Sequence, residues 1–268
     1  MATTYLTRTT TAGTPTNSKK NTLSVWLKRS GLGTGTFFNG GTNDQNQNFI
    51  NFNPNDKIYI QNSTSNSNNL VFTTTQVFRD TSAWYNIILA IDTTQATNTN
   101  RVKLYVNGVQ VTAFDTATYP ALDAEIEWNK SGATIEIGKY PFDSAGNSVY
   151  DGLMSHFNFI DGTQELPTVF GETDSTTGEW KIKTSPSVTY GNNGFFILKD
   201  GNSVTDQSGE GNNFAVTAGT LTNTKDCPSS VFATLNPLIK ASNQPTFTNG
   251  NTTVISPSGT NARYGGTL

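Results

Sequence analysis

Two glutamates, Glu125 and Glu127, have the spacing in this sequence that best suits acid–base chemistry. If they lie on a β-strand, residues i and i+2 share one face, about 6–7 Å apart. Glycoside hydrolysis uses two carboxylates that are about 5–5.5 Å or about 6.5–9.5 Å apart. Trp128 follows directly and offers a ring on which a sugar could stack. The alternative interpretation, a pair of solvated carboxylates on an outer face, is the one that we favour.

A nucleophilic dyad would have to use the one cysteine and the one histidine of the chain, Cys227 and His156. Such a dyad needs a base held within hydrogen-bond reach of the thiol. Cys227 precedes Pro228 in a predicted loop, His156 lies in a predicted strand, and their spacing does not imply that they meet. A single cysteine also excludes an internal disulfide, and a single histidine excludes most histidine-based zinc sites. We therefore expect no catalytic residue and no enzymatic activity.

Aromatic residues are concentrated between positions 119 and 150. Binding of a neutral sugar uses aromatic rings together with polar groups on exposed loops. Tyr140 and Phe142 flank Pro141, which disfavours a position inside a strand ladder, so this pair is the best exposed candidate. With Trp128 and Tyr150 they form the predicted glycan-binding set, although a sandwich core also consumes aromatic residues. Core packing is therefore the alternative for each of the four.

The composition excludes several classes of partner. The 268 residues include 17 Lys and Arg against 20 Asp and Glu, which leaves a net charge of −3. Nucleic-acid binding needs a clustered basic face, so we expect no nucleic-acid partner. No stretch approaches the ~20 consecutive apolar residues that cross a membrane, so we expect no membrane insertion. Thr, Asn, Gly and Ser make up nearly half of the chain, which favours strands and turns over helices.

The pattern of apolar residues predicts many short strands. Thr22–Lys28 alternates with period two, and Trp84–Ile91 is a nearly continuous apolar run, typical of a strand buried on both faces. Arg101–Val106 and Val109–Phe114 flank Asn107-Gly108, the strongest short hairpin signal in the chain. Further predicted elements are strands at 49–52, 57–61, 133–138, 153–160 and 195–199, a short helix at Leu166–Gly171, and a surface loop at 62–69. Ten or more strands separated by turns predict a two-sheet sandwich or jelly roll.

Four segments, in this order along the chain, resemble the laminin-G-like, concanavalin A-like jelly roll. They are the tryptophan strand Leu23–Ser30, Trp84-Tyr85, the Asn-Gly hairpin in Arg101–Val111, and the Asp-Gly strand at Tyr150–Leu153. The resemblance covers about residues 20–162 and implies an all-β sandwich.

Two further implications of this resemblance concern chemistry. The jelly-roll glucanases that resemble this fold use Glu-x-Asp-x-x-Glu, whereas this chain has Glu125, Glu127 and Lys130, so the last acid is a lysine. Laminin-G-like domains often bind Ca²⁺ through Asp and Asn side chains and loop carbonyls. Ca²⁺ is therefore the one cofactor to consider, without a defined ligand set among the turn aspartates Asp44, Asp56, Asp80, Asp92, Asp143 and Asp151.

A second resemblance is narrower. Phe159–Trp180, Tyr190–Phe196, Asp206–Asn213 and Ala233–Leu238 are similar to segments of virion structural or fibre-like proteins of marine bacteriophages. This implies a fibre, spike or capsid-decoration subunit that is assembled in the host cytoplasm and located in the virion. Its expected partners are other virion subunits, further copies of itself in a homo-oligomer, and a host-surface glycan. The alternative is a stand-alone, lectin-like carbohydrate-binding module, and a glycoside hydrolase is the third hypothesis.

The predicted organisation has three parts: an N-terminal arm at 1–20, a laminin-G-like sandwich at 21–235, and an extended C-terminal tail at 236–268. The arm and the tail could add strands to neighbouring subunits. The segment Asp206–Asn213 resembles a turn that usually lies near the start of this jelly roll. Residues 190–220 are therefore expected to complete the same sandwich in a rearranged chain order. A small separate β-subdomain is the alternative.

Overall fold

The computed structural model describes residues 4–10, 14–140, 148–199, 203–231, 235–237, 245–248, 251–256 and 266. One group of strands consists of β1 Tyr5–Thr9, β3 Gly35–Asn43, β4 Asn46–Phe52, β5 Lys57–Thr64, β6 Ser67–Val77, β10 Phe114–Thr118, β11 Thr134–Ile137 and β16 Ala215–Ala218. They form an eight-stranded sheet in the order β10-β6-β5-β4-β3-β11-β1-β16.

A second group consists of β2 Lys20–Arg29, β7 Tyr85–Asp92, β8 Val102–Val106, β9 Val109–Gln110, β12 Gly152–Asp161 and β15 Phe195–Ile197. These form a six-stranded sheet in the order β15-β12-β2-β7-β8-β9. Neighbouring strands in both sheets are antiparallel. The remaining elements are two small hairpins, β13 Gly171–Thr173 with β14 Trp180–Ile182 and β17 Thr246–Thr248 with β18 Thr253–Ile255, and 3₁₀ turns at Asn98–Asn100, Glu127–Asn129 and Pro167–Val169.

The core lies between the two sheets. Leu23, Val25 and Leu27 of β2 alternate along the strand and join Ile50 and Phe52 of β4 in one large buried cluster. Side chains of a strand point alternately to opposite faces, so one face of each of these strands supplies this core. The all-β jelly-roll sandwich expected from the sequence is therefore the fold of this chain.

The outer face of the six-stranded sheet is covered by the segment that follows β12. Ile88 and Ala90 of β7 and Tyr105 of β8 form a second apolar cluster with Phe170 and Tyr190 of that segment. This explains why β7 is buried along its whole length, as its continuous apolar run predicts. The covered part of this face is not available to a ligand.

The predicted short helix Leu166–Gly171 lies in the covering segment. Only Pro167–Val169 of the predicted helix forms a 3₁₀ turn, and its last residue, Gly171, already begins β13.

Residues 195–218 supply one strand to each sheet. β15 pairs with β12, whereas β16 pairs with β1 at an edge of the eight-stranded sheet. Between them, the carboxylate of Asp206 accepts hydrogen bonds from the backbone N–H groups of Phe196, Ser208 and Asn212, at 2.8, 2.9 and 2.8 Å. Phe195 and Phe214 lie in the inter-sheet core. This segment thus completes the sandwich in a rearranged order and is not a separate subdomain.

Part of the predicted N-terminal arm belongs to the sandwich. β1 lies inside the eight-stranded sheet, between β11 and β16, and buries Leu6 and Arg8. The predicted boundary between the arm and the sandwich, at residue 21, is therefore wrong. Threonines alternate with Leu6 and Arg8 in β1, so the strand has no clear apolar alternation by which the sequence would predict it. A strand inside a sheet has both edges paired, so β1 cannot add to a neighbouring subunit. Of the predicted C-terminal tail, only 236–237, 245–248, 251–256 and 266 are among the described residues, so the extended tail stays a prediction.

The predicted surface loop at 62–69 is a tight hairpin. β5 continues to Thr64 and β6 begins at Ser67, with Ser65 and Asn66 at φ 51° and 62°. Both angles belong to the type I′ turn that suits a two-residue hairpin. The strand ends here are polar, so no apolar alternation marks them. The Asn107-Gly108 turn has the same geometry, with φ 48° and 77°, which confirms that predicted hairpin.

Candidate functional site

The two glutamates of the hydrolase hypothesis do not share a strand face. Glu127 begins a 3₁₀ turn and is buried, whereas the Glu125 side chain is 54% exposed. The ammonium of Lys130 lies 2.7 Å from Glu127 Oε1 and 3.8 Å from Glu125 Oε2. Glu127 also accepts a hydrogen bond from Thr64 Oγ1 at 2.7 Å. Lys130, which occupies the position of the last acid in the glucanase motif, is therefore ion-paired with both Glu125 and Glu127.

His156 and Cys227 line the same cavity, a connection that the sequence spacing does not indicate. The cavity has a volume of about 880 Å³ and lies between β12, the segment 220–229 and β17. The Nδ1 atom of His156 is 2.8 Å from Ser155 Oγ, and Cys227 Sγ is 3.3 Å from Ser229 Oγ. Each side chain thus has a partner next to it in the chain.

Asp151 also lines this cavity, and burial raises its pKa. A large cavity with a perturbed carboxyl is a general candidate for a ligand site. This cavity is therefore the alternative location for a ligand.

Two of the four predicted glycan-binding residues belong to the core. Trp128 is fully buried, with its indole N–H 3.0 Å from Asn21 Oδ1, and Tyr150 is 5% exposed, with its hydroxyl 2.9 Å from the carbonyl of Lys28. A Cβ atom on Gly40 would approach Trp128 Cβ to 2.5 Å and Trp128 Cα to 2.9 Å, so the backbone at Trp128 lies directly against β3. Neither ring can serve as an exposed sugar platform, and that expectation is wrong for both.

Tyr140 belongs to an aromatic group on the outer face of the eight-stranded sheet. Its ring centroid is 4.8 Å from that of Phe49, which lies 5.6 Å from that of Tyr59. All three residues are half-buried. Burial raises the pKa of the Tyr59 hydroxyl, and the neighbouring Tyr140 raises it further. Phe142 lies outside the described residues.

Strand pairing places this aromatic group next to a line of polar side chains. Gln61 lies opposite Phe49, Phe49 opposite Asn39, and Asn39 opposite Glu136. Residues directly opposite each other on neighbouring strands project from the same face. Asn51 lies on this face too, two residues after Phe49 and opposite Tyr59. We call Asn39, Asn51, Glu136 and the aromatic group Phe49, Tyr59 and Tyr140 the outer polar row.

Three oxygens of the outer polar row have no hydrogen-bond partner. They are Oδ1 of Asn39, Oδ1 of Asn51 and Oε2 of Glu136, and all three are shielded from solvent. Burial raises the pKa of Glu136, while Lys139 and a hydrogen bond from Asn39 lower it in part. A buried acceptor without a donor lowers the stability of the fold by about 1–3 kcal/mol, so several such acceptors close together are unusual in a protein surface. A ligand that supplies donors would remove that cost.

The sequence pattern does not indicate the polar members of this surface. Asn39, Asn51 and Glu136 lie on three different strands, and only the pairing β4-β3-β11 brings them together. The position of Tyr140 before Pro141 predicts an exposed ring, and in the structure this ring is half-buried.

Within the described ranges, His, Cys, Asp and Glu side chains nowhere gather in a group of three or more able to hold a metal ion. Asp143 of the turn aspartates lies outside these ranges. The Ca²⁺ expectation therefore stays a prediction. In the same part of the chain, no helix has the length and apolar character needed to span a bilayer.

Comparison with known proteins agrees with this architecture. The family model of the concanavalin A-like lectin/glucanases superfamily matches residues 2–170. No curated protein matches the sequence. Among solved structures, one from Bacteroides ovatus, to which carbohydrate binding has been ascribed, has 15% identity and a TM-score of 0.53. The alignment covers 87% of this chain and 63% of that one, so the chain spans less than two thirds of its neighbour's length.

Two further solved structures match this chain with lower TM-scores. Domains LG4-5 of the mouse laminin α1 chain show 7% identity and a TM-score of 0.40, covering 73% of this chain and 44% of theirs. The CBM40 module of the Ruminococcus gnavus IT-sialidase, bound to α2,3-sialyllactose, shows 12% identity and a TM-score of 0.37, covering 51% and 73%.

Proposed function

The chain belongs to the concanavalin A-like lectin/glucanases superfamily, and we propose that it is a non-catalytic carbohydrate-binding module whose ligand lies on the outer polar row. The observation that carries the proposal is the set of unpartnered oxygens on Asn39, Asn51 and Glu136 beside the aromatic group.

This surface has the two kinds of contact that a sugar requires. Aromatic rings pack against the apolar C–H face of a pyranose or furanose, and acceptor oxygens take hydrogen bonds from its hydroxyls. Asn51 and Glu136 are half-buried, whereas Asn39 is 2% exposed. A ligand would therefore meet Asn51 and Glu136 first, and rotation about their side-chain torsions would turn their oxygens toward it. Neighbouring strands are about 4.8 Å apart, which places the acceptors of adjacent strands within reach of one small ligand.

Two observations support binding without catalysis. The carboxylates of Glu125 and Glu127 are ion-paired with Lys130, so they do not form the free acid and base that glycoside hydrolysis requires. The fold neighbour from Bacteroides ovatus has carbohydrate binding ascribed to it, and it aligns with most of this chain.

The test is a glycan array probed with the wild-type protein and two variants. We expect wild type to bind a defined group of glycans and Asn51→Ala to bind them at least about tenfold more weakly, because an acceptor in the row is lost. Asn55→Ala, a matched change in the exposed turn after β4, is expected to bind like wild type. Absence of any bound glycan, or equal binding by Asn51→Ala and wild type, would overturn the proposal.

The virion role expected from the sequence stays a prediction. Its location, its subunit partners and its homo-oligomer are likewise predictions. A carbohydrate-binding module is compatible with them, since a host-surface glycan is among the expected partners.

A further inference from the structure

We infer that the outer polar row selects neutral, hydroxyl-rich sugars and rejects sugars that carry a carboxylate or a sulfate. This inference rests on the proposed function and names the class of ligand that the row takes.

The missing hydrogen bonds of the outer polar row all lack a donor. The unpartnered atoms on Asn39, Asn51 and Glu136 are all oxygens, and none of them is an N–H. Sugar hydroxyls donate hydrogen bonds and therefore complete these acceptors. A carboxylate or a sulfate group at neutral pH offers only acceptors, so it would leave the oxygens of the row unpaired.

The charge of Glu136 also disfavours an anionic ligand. Glu136 projects from β11, the last strand of the row, between Asn39 on β3 and Thr7 on β1, and neither of these two residues carries a charge. Its pKa is raised by burial, which means that its negative charge is poorly solvated. An anionic group bound beside Glu136 would be repelled by this like charge, which solvent screens poorly. Such repulsion strongly disfavours the binding of an anionic sugar.

Lys139 is the side chain that could reverse this preference. Its charge lowers the pKa of Glu136 in part, and its ammonium lies 4.7 Å from the centroid of the Tyr5 ring. If an acidic sugar bound through Lys139, the row would prefer anionic ligands. The experiment must therefore separate the effect of Glu136 from that of Lys139.

The probe is an array in which each neutral glycan is printed beside its sialylated or sulfated derivative, for example lactose beside 3′-sialyllactose. We expect each acidic derivative to bind at least about tenfold more weakly than its neutral parent. Glu136→Gln keeps the shape of the side chain and one acceptor oxygen but removes the charge. It should therefore reduce the difference in binding between each acidic derivative and its neutral parent. Glu172→Gln, the same change at an exposed residue of β13, should leave the difference unchanged.

The array distinguishes failure of the preference for neutral sugars from failure of the carbohydrate-binding function itself. Equal or tighter binding of the acidic members overturns the inference while the carbohydrate-binding function stands. Loss of that acidic binding in Lys139→Gln would then assign the row to anionic sugars. If neither member of any pair binds, the proposed function itself fails. Circular dichroism of each variant excludes loss of fold as the cause.

Discussion

Asp56 ties three separate segments of the chain together through one buried carboxylate. It accepts hydrogen bonds from the backbone N–H of Gly33 at 2.8 Å and from Arg79 Nε at 2.9 Å, and Arg29 Nη2 lies 3.0 Å away. Burial alone would raise the pKa of Asp56, but these donors and charges outweigh it and hold the pKa below its usual value. The guanidinium of Arg29 also packs 4.4 Å from the centroid of the Phe52 ring.

A lowered pKa at Asp56 predicts acid sensitivity. The unfolded chain binds the proton more tightly than the folded one, so this stabilisation is present above about pH 4 and is lost as pH falls through the folded pKa. We expect the free energy of unfolding, measured in urea, to decline between about pH 5 and about pH 3. Asp56→Asn should be less stable at pH 6 and should show a smaller decline. Equal declines in the two proteins would contradict this account, and Asp44→Asn in an exposed turn serves as control.

At the scale of elements, the hairpin β13–β14 is docked through one tryptophan. The indole N–H of Trp180 donates to Asn86 Oδ1 at 3.0 Å. A Cβ atom on Gly108 or Gly171 would come within 2.4 Å of the Trp180 ring. The missing side chain at Gly108, between β8 and β9, therefore lets the ring lie against the six-stranded sheet, and that at Gly171 lets the ring lie across its own hairpin.

Two glycines with the same backbone angle isolate this contact. Gly108 and Gly132 both have φ +77°, but only Gly108 has a neighbour within reach of a new Cβ atom. Gly132→Ala should lose about 1 kcal/mol of unfolding free energy from backbone strain alone. Gly108→Ala should lose about 1–3 kcal/mol more, because the methyl group meets the Trp180 ring. Equal losses in urea unfolding would show that Trp180 moves aside without cost.

The segment 220–229 is held on the sheet by a buried ion pair. Asp226 Oδ2 lies 2.7 Å from Lys28 Nζ, both side chains are 1% exposed, and the indole N–H of Trp84 donates to Asp226 Oδ1 at 3.0 Å. Removing one partner of such a pair leaves a charge buried alone.

We expect Asp226→Ala to lose about 3–5 kcal/mol of unfolding free energy, and the double change Lys28→Met with Asp226→Leu to recover much of that loss. Asp115→Ala, which breaks the more exposed pair with Lys57, should cost at most about 1 kcal/mol. Urea unfolding of the four proteins is the measurement. A loss at Asp226→Ala no larger than at Asp115→Ala would mean that the segment is not anchored by its charge.

For the whole molecule, sequence patterns identified the strands that carry apolar alternation or a long apolar run. β2, β7 and β8 are of this kind, since burial of one or both faces requires those residues. β1 and the turn between β5 and β6 were missed because Thr, Asn and Ser occupy the positions that would mark them. Polar strands of this kind are specified by their neighbours in the sheet, and a single sequence does not reveal those neighbours.

The candidate site was predictable only in part, for the same reason. Pro141 pointed to Tyr140, whereas nothing local distinguishes the buried Trp128 from an exposed ring. Asn39 and Glu136 lie far apart in the chain and become neighbours through strand register alone. The site is thus a property of the assembled sheet.

The most direct test of the proposed binding surface is amide chemical-shift mapping of the labelled protein, titrated with the glycan that binds most strongly on the array. We expect the shifts to be concentrated at Asn39, Asn51, Tyr59 and Glu136 on the outer face of the eight-stranded sheet. Residues around Asp226 and Cys227, which line the 880 Å³ cavity, should not shift. Shifts confined to that cavity, with none along the outer polar row, would contradict the account.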